Sequence, residues 1–278
     1  MHRILLTLLI LFNGWVLQAQ NHLLHYSWRL SALGYDMVEC RKDKERDSCL
    51  ALFNANMDSV LQLPGSFAHS FDSVKNIMIV NAPDKSFRII TWGFRHPNDS
   101  FSFYGVLQYA DETKEYVWLS DSSASLKNQP ATYYAELGPD NWYGAIYYQI
   151  RQVKYKKEHY YLLLGWNGTN NQTDQKVLDV LSWNDQGEIV FGLPLFNLEN
   201  KLAYQNRVIW EYKNGANMAL KVTSKNLIIF EHIVPQDPRA IGVYTLYLPD
   251  GTYDFFKFKR GIWYKKEMLY DHYKNPGY

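Results

Sequence analysis

The sequence predicts a mainly β protein: an antiparallel meander, as a barrel, a sandwich or a propeller-like arrangement, with a short N-terminal helical segment. Two observations carry this prediction. Apolar residues recur with helical spacing only before Pro64. After it, runs rich in Ile, Val, Tyr, Phe and Trp alternate with turn residues. No repeat is regular enough to select the propeller.

The helical segment has two parts. From Arg46 to Leu61 the pattern is typical of an amphipathic helix, and Pro64-Gly65 ends it. A less regular helical pattern covers residues 23–38. The two parts predict a helical hairpin that turns near residues 41–44.

The β region is predicted from short apolar runs and from explicit turn sequences such as Lys213-Asn214-Gly215 and Pro249-Asp250-Gly251. The predicted strands are 76–80, 87–92, 101–109, 116–119, 142–153, 159–165, 188–191, 207–212, 218–222, 226–233, 242–248, 253–259 and 262–264. Residues 167–175 are all polar or Gly and predict a connection, and 176–181 fits either a strand or a helical turn.

The first residues predict export. Arg3 precedes an apolar run, Ile4 to Phe12, which has the length of a signal-peptide core and is too short to span a bilayer. Cleavage after Ala19 would define residues 1–19 as a signal peptide and leave a periplasmic or extracellular protein; the alternative is a short membrane anchor. We therefore predict a helical segment, 20–65, packed on a β-rich domain, 66–278. The alternative is a second boundary near residue 125.

The charge of the chain argues against binding to nucleic acid. The full sequence carries 29 basic and 28 acidic side chains. Loss of Arg3 with the signal peptide leaves equal numbers and a net charge of zero, whereas a nucleic-acid or anionic-membrane binder needs a basic surface. No later stretch is long and apolar enough for a transmembrane helix, so we expect no integral membrane segment after signal removal.

Cys40 and Cys49 are the two cysteines of the chain. In an oxidising compartment such a pair predicts one disulfide. In one continuous helix the two positions would lie about 13 Å apart, so the bond requires a turn between them. The alternative is two buried free thiols. The pattern offers no metal site, and we expect no cofactor.

The sequence leaves open whether the protein is an enzyme. Familiar nucleotide-binding, serine-hydrolase and zinc-protease motifs are absent. Glu211 and Glu231 each lie in an apolar strand beside aromatic residues, and they form the candidate catalytic pair of a glycan hydrolase if their carboxylates lie about 5–9 Å apart. Asp179 is an alternative partner for Glu211. Without such a cleft, each Glu faces solvent or pairs with a basic side chain.

Two aromatic stretches are candidate ligand-binding surfaces, because aromatic rings stack on sugar C–H bonds while amides bind hydroxyls. Trp142 and Tyr143 form the first candidate, and Trp166 with Asn167 and Asn170 forms the second. The alternative is that Trp142 and Tyr143 fill a β core, since both faces of their predicted strand are apolar. The expected partner is a glycan or an envelope protein.

Several stretches resemble uncharacterised exported β-rich proteins of Bacteroidetes-type bacteria. They are PDKSFRIITWGF, YYLLLGWNG, QKVLDVL, FGLPLF, RVIWEY and LIIFEHIVP. The resemblance covers most of the chain after the signal peptide. It implies export and a shared β-rich fold, and it assigns no activity, cofactor or catalytic residue. The sequence thus favours a non-enzymatic ligand- or partner-binding envelope protein, with a carboxylate-dependent glycan hydrolase as the alternative.

Overall fold

The computed structural model describes residues 2–155, 157–198 and 203–271 and confirms a mainly β fold with N-terminal helices. The chain forms two compact units. The first contains residues 1–77 and 108–116, and the second contains residues 78–107 and 117–278. The helical unit therefore extends past residue 65 and includes the tip of a later β hairpin.

The first unit is built on a helical hairpin of α1 (His2–Glu39) and α2 (Asp43–Leu61). The apolar positions of the amphipathic pattern are the buried face of α2, namely Leu50, Phe53, Met57, Val60 and Leu61. Arg46 Nε closes the turn by donating to the Met37 carbonyl at 2.8 Å. The side chains of the predicted signal peptide lie outside the described residues. None of the described helices combines the length and apolarity needed to cross a membrane.

No disulfide joins Cys40 to Cys49, so this prediction is corrected: both thiols are free. The required turn exists, because Cys40 follows α1 and Cys49 lies within α2. The Cys40 thiol, however, donates to Glu45 Oε2 at 3.2 Å. Burial raises the pKa of the Cys49 thiol, which favours the protonated form over the thiolate.

The second unit holds three open sheets, and no closed barrel forms among the described residues. The first sheet has the order β1 (Met78–Asn81), β2 (Phe87–Arg95), β3 (Phe101–Tyr109) and β4 (Val117–Ser120). The second has the order β10 (Val208–Lys213), β7 (Thr173–Trp183), β6 (Glu158–Asn167) and β5 (Ile146–Tyr155), with β8 (Ile189–Phe191) also paired to β7. The third has the order β11 (Leu220–Ser224), β12 (Leu227–Pro235), β13 (Tyr247–Lys259), β14 (Ile262–Asp271) and β9 (Phe196–Asn197). All pairs are antiparallel except β14 with β9.

The second sheet is a middle layer. Leu162 and Leu164 of β6 share a core with Ile228 and Phe256 of the third sheet. On the opposite face of β6, the Tyr161 ring lies 4.8 Å from the Phe87 ring of the first sheet. Burial of both faces explains why β6 is a continuous apolar run instead of an alternating one.

The structure resolves one segment that the sequence left open and corrects one predicted strand. Residues 176–181 belong to β7, an eleven-residue strand that begins at Thr173, within the polar stretch. Residues 242–246, predicted as part of a strand, form turns that include a 3₁₀ segment, Tyr244–Leu246. There the spacing of Val243, Tyr244 and Leu246 resembles a strand, but all three side chains are exposed.

Asp84 links the first two sheets. Its Oδ2 accepts from Tyr161 Oη at 2.6 Å and from Gln152 Nε2 at 2.9 Å, while Oδ1 accepts from the Ser86 hydroxyl at 2.7 Å. Burial by itself raises the pKa of this carboxyl, but the hydrogen bonds from Tyr161 and Ser86 together lower it below its ordinary value. The ionised form therefore stabilises the folded state.

We expect Asp84→Asn to make stability less dependent on pH in the acid range. The pKa of the Asp84 carboxyl is lower in the folded state than its unfolded value of about 3.9. The carboxyl therefore stabilises the folded protein at pH values above the unfolded pKa, and this contribution is lost as the pH falls through the folded-state pKa. Because the carboxylate is exposed, the difference between wild type and variant is at most about 1 kcal/mol. Urea unfolding at pH 7, 4 and 3 measures it, and a difference that stays constant over this range contradicts the prediction.

Candidate functional site

The candidate site is a cavity of about 50 Å³ in the second unit. Its lining comes from the segment 126–133, from Tyr143 and Gln175, from Ile209 and Glu211, and from Tyr244. We call it the Glu211 pocket.

Strand register places the polar groups of this pocket on one face. Glu211 of β10 lies opposite Gln175 of β7, and Thr173 lies two residues before Gln175. Since side chains two apart on a strand share a face, all three point the same way. Glu211 Oε1 accepts from Thr173 Oγ1 at 2.6 Å, and Oε2 accepts from Gln175 Nε2 at 3.0 Å. Tyr143 Oη donates to Gln175 Oε1 at 2.7 Å and thereby fixes the Gln175 amide.

Lys127 completes the charge balance of the pocket. It follows the short helix α3 (Ser123–Leu126), and its Nζ lies 2.8 Å from Glu211 Oε1. Both side chains are largely buried, with exposed fractions of 21% and 10%. A hydrogen-bonded pair of this kind costs desolvation but satisfies both charges. The described lining therefore carries one positive and one negative charge.

Two tyrosines offer hydrogen-bonding groups that no described residue uses. Tyr133 and Tyr244 line the pocket, and their hydroxyls make no hydrogen bond within the described part of the chain. Burial is the main cause that raises the pKa of both phenol groups, and neighbouring groups, which include Glu211, raise it further by smaller amounts. Each hydroxyl is therefore protonated at neutral pH and can both donate and accept.

Of the predicted catalytic residues, Glu211 lines the pocket, whereas Glu231 and Asp179 do not. Glu231 lies on β12 of the third sheet, and its Oε2 accepts from the Ala219 amide at 2.6 Å. Asp179, the alternative partner, is fully buried and pairs with Arg207 at 3.1 Å. Among the described residues, Glu211 is the one carboxylate that lines the pocket.

The predicted ligand-binding residues other than Tyr143 lie outside the Glu211 pocket. Trp142 is fully buried and its Nε1 donates to Tyr147 Oη at 2.8 Å, while buried Asn167 donates to the Gly144 carbonyl at 2.6 Å. Trp166 packs edge-on against Phe101, with ring centroids 5.7 Å apart.

The amide of Asn170 closes a turn: its Oδ1 accepts from the Gln172 and Thr173 amides. Of the predicted residues, Tyr143 and Glu211 alone meet in the pocket. Lys127, Tyr133, Thr173, Gln175 and Tyr244 were not predicted, because no sequence pattern shows that segments so far apart converge.

A larger cavity of about 290 Å³ lies in the first unit, between the end of α2 and residues 108–116. None of the predicted catalytic or ligand-binding residues lines it. Glu112 Oε1 already accepts from the Gly65 amide at 2.9 Å, and Gln108 donates to buried Ser66 Oγ at 2.8 Å. These groups stabilise the local turns. Within the described part of the chain, no cluster of three His, Cys, Asp or Glu side chains is placed to hold a metal ion.

Comparisons with known proteins add no functional information. No protein-family model, curated protein or solved structure matches this chain. The function therefore has to be argued from the geometry and chemistry of the Glu211 pocket.

Proposed function

We propose that this chain is an exported, non-enzymatic binding protein that takes a small polar ligand in the Glu211 pocket. The observation that carries the proposal is the pre-organised carboxylate of Glu211. Three donors hold it in one orientation, and Tyr133 and Tyr244, whose hydroxyls make no hydrogen bond within the described part of the chain, line the same cavity. Groups that are already ordered cost little entropy when a ligand binds.

The same geometry argues against the alternative, a carboxylate-dependent glycan hydrolase. That chemistry needs two facing carboxyl groups, one of which keeps its proton to act as a general acid. Among the described residues, Glu211 is the one carboxylate in the lining, and its oxygens are engaged by Lys127, Thr173 and Gln175. Glu231 is bonded elsewhere, to the Ala219 amide.

We expect Glu211→Gln to weaken ligand binding while Glu231→Gln leaves it unchanged. Loss of the charge removes charge-assisted hydrogen bonds worth about 1.5–3 kcal/mol, which corresponds to roughly a 10–150-fold loss of affinity. A thermal-shift screen of neutral, cationic and anionic metabolites on the wild-type protein identifies ligands, and titration calorimetry then compares the variants. Glu231→Gln is the matched control, because it makes the same change on a strand outside the pocket.

Three results contradict the proposal. The first is the absence of any stabilising ligand in the screen. The second is binding that Glu211→Gln leaves intact. The third is turnover of a glycan that both Glu variants abolish, since that result requires the hydrolase pair. The export part is tested separately by sequencing the N-terminus of the protein from its host, where we expect Gln20 to be the first residue.

A further inference from the structure

We propose that the Glu211 pocket binds the hydroxyl-bearing edge of a neutral sugar. This inference rests on the proposed function and specifies its ligand class. The pocket has room for a small group only: about 50 Å³ holds on the order of three to five water-sized groups, since one water needs about 10–15 Å³ by the same measure. Adjacent hydroxyl groups at the edge of a sugar ring have this size.

The charge of the lining favours a neutral ligand. Lys127 and Glu211 neutralise each other at 2.8 Å. A cationic ligand would have to compete with Lys127 for the carboxylate, and an anionic ligand would have to compete with Glu211 for the ammonium group. A neutral hydroxyl group does not compete, because it accepts from the ammonium group and donates to the carboxylate while the pair stays intact.

The two tyrosines supply the remaining complementarity. Each free phenol hydroxyl both donates and accepts, which matches a sugar hydroxyl in either role. Tyr244 lines the pocket and is also 40% exposed, next to exposed Val243. This surface is suited to the C–H face of a sugar ring, because aromatic faces pack against apolar groups while the hydroxyl end stays polar.

The test is a glycan array that presents neutral, acidic and amino sugars, probed with wild-type protein and with Tyr133→Phe/Tyr244→Phe. The double variant keeps both rings and removes only the hydroxyl groups. We expect binding to neutral sugars that the double variant weakens on the order of tenfold, since each lost hydrogen bond costs about 0.5–1.5 kcal/mol. Tyr134→Phe is the control, because Tyr134 is an exposed neighbour outside the lining. If the double variant unfolds, Tyr244→Phe, at the exposed position, replaces it.

The outcomes separate the two proposals. Binding to acidic or amino sugars alone overturns the neutral-sugar inference, and so does neutral-sugar binding that the loss of both hydroxyls leaves unchanged. An ionic metabolite that binds in a Glu211-dependent manner, together with a blank array, removes this inference and leaves the proposed function standing. A blank array together with a blank metabolite screen removes both.

Discussion

Replacement of Arg207 by Met is expected to lower the free energy of unfolding by about 3–5 kcal/mol. Arg207 and Asp179 are both fully buried and form an ion pair at 3.1 Å. The variant would leave the Asp179 carboxylate uncompensated in the core. It would also remove the donors to the Thr132, Ala135 and Phe191 carbonyls, at 2.5, 3.0 and 2.9 Å.

Arg239→Met is the matched control. Arg239 also pairs with a carboxylate, Asp237, at 2.6 Å, but its side chain is 90% exposed, so we expect a change below about 1 kcal/mol. Chemical denaturation followed by tryptophan fluorescence measures both variants. Burial raises the pKa of Asp179, and loss of the positive charge of Arg207 should raise this pKa further. Asp179 in the variant then becomes neutral at acid pH, so the loss of stability caused by Arg207→Met should be smaller there. Equal effects of the two Arg variants would show that the buried pair is unimportant.

Leu163→Ala is expected to cost about 2–5 kcal/mol, as much as Leu162→Ala. These neighbours on β6 point to opposite faces, and both are fully buried. In a sheet with one solvated face, one of the two substitutions would be nearly neutral. Equal large costs follow only if the second sheet is covered on both sides.

The third sheet provides the comparison. On β12, Ile228 is fully buried whereas its neighbour Ile229 is only half-buried. We therefore expect Ile228→Ala to cost about 2–5 kcal/mol and Ile229→Ala to cost less than about 1.5 kcal/mol. Urea unfolding of the four variants measures the pattern. A nearly neutral Leu163→Ala would contradict the three-layer arrangement.

Local patterns predicted much of the secondary structure correctly. The strand predicted over 101–109 matches β3, and the apolar positions of the helical pattern are all buried in α2. The prediction was wrong for 242–246, because a short apolar run in an exposed turn has the composition of a strand. It left 176–181 undecided, since a segment buried on both faces shows no periodicity that distinguishes strand from helix.

The pocket was predicted only in part. Glu211 was predicted as a candidate catalytic residue because it is an acid in an apolar strand, and Tyr143 was predicted as a candidate ligand-binding residue because it lies in an aromatic stretch. The prediction that Glu211 works with Glu231 rested on two acids that each lie in an apolar strand beside aromatic residues. The structure pairs β10 with β7, while β12 lies in a different sheet. Lys127 lies in a polar stretch that has no distinguishing motif, so only the folded chain identifies it as the partner of Glu211.

The sequence by itself determined the fold class, the helical hairpin and most strand positions, because these depend on local spacing and turn chemistry. Only the tertiary structure decided the layering of the sheets, the free state of Cys40 and Cys49, and the convergence of Lys127, Tyr133, Gln175, Glu211 and Tyr244. The physical reason is that strand pairing joins segments far apart in the chain. Which strands pair depends on the burial of whole faces, and no short stretch of sequence specifies that.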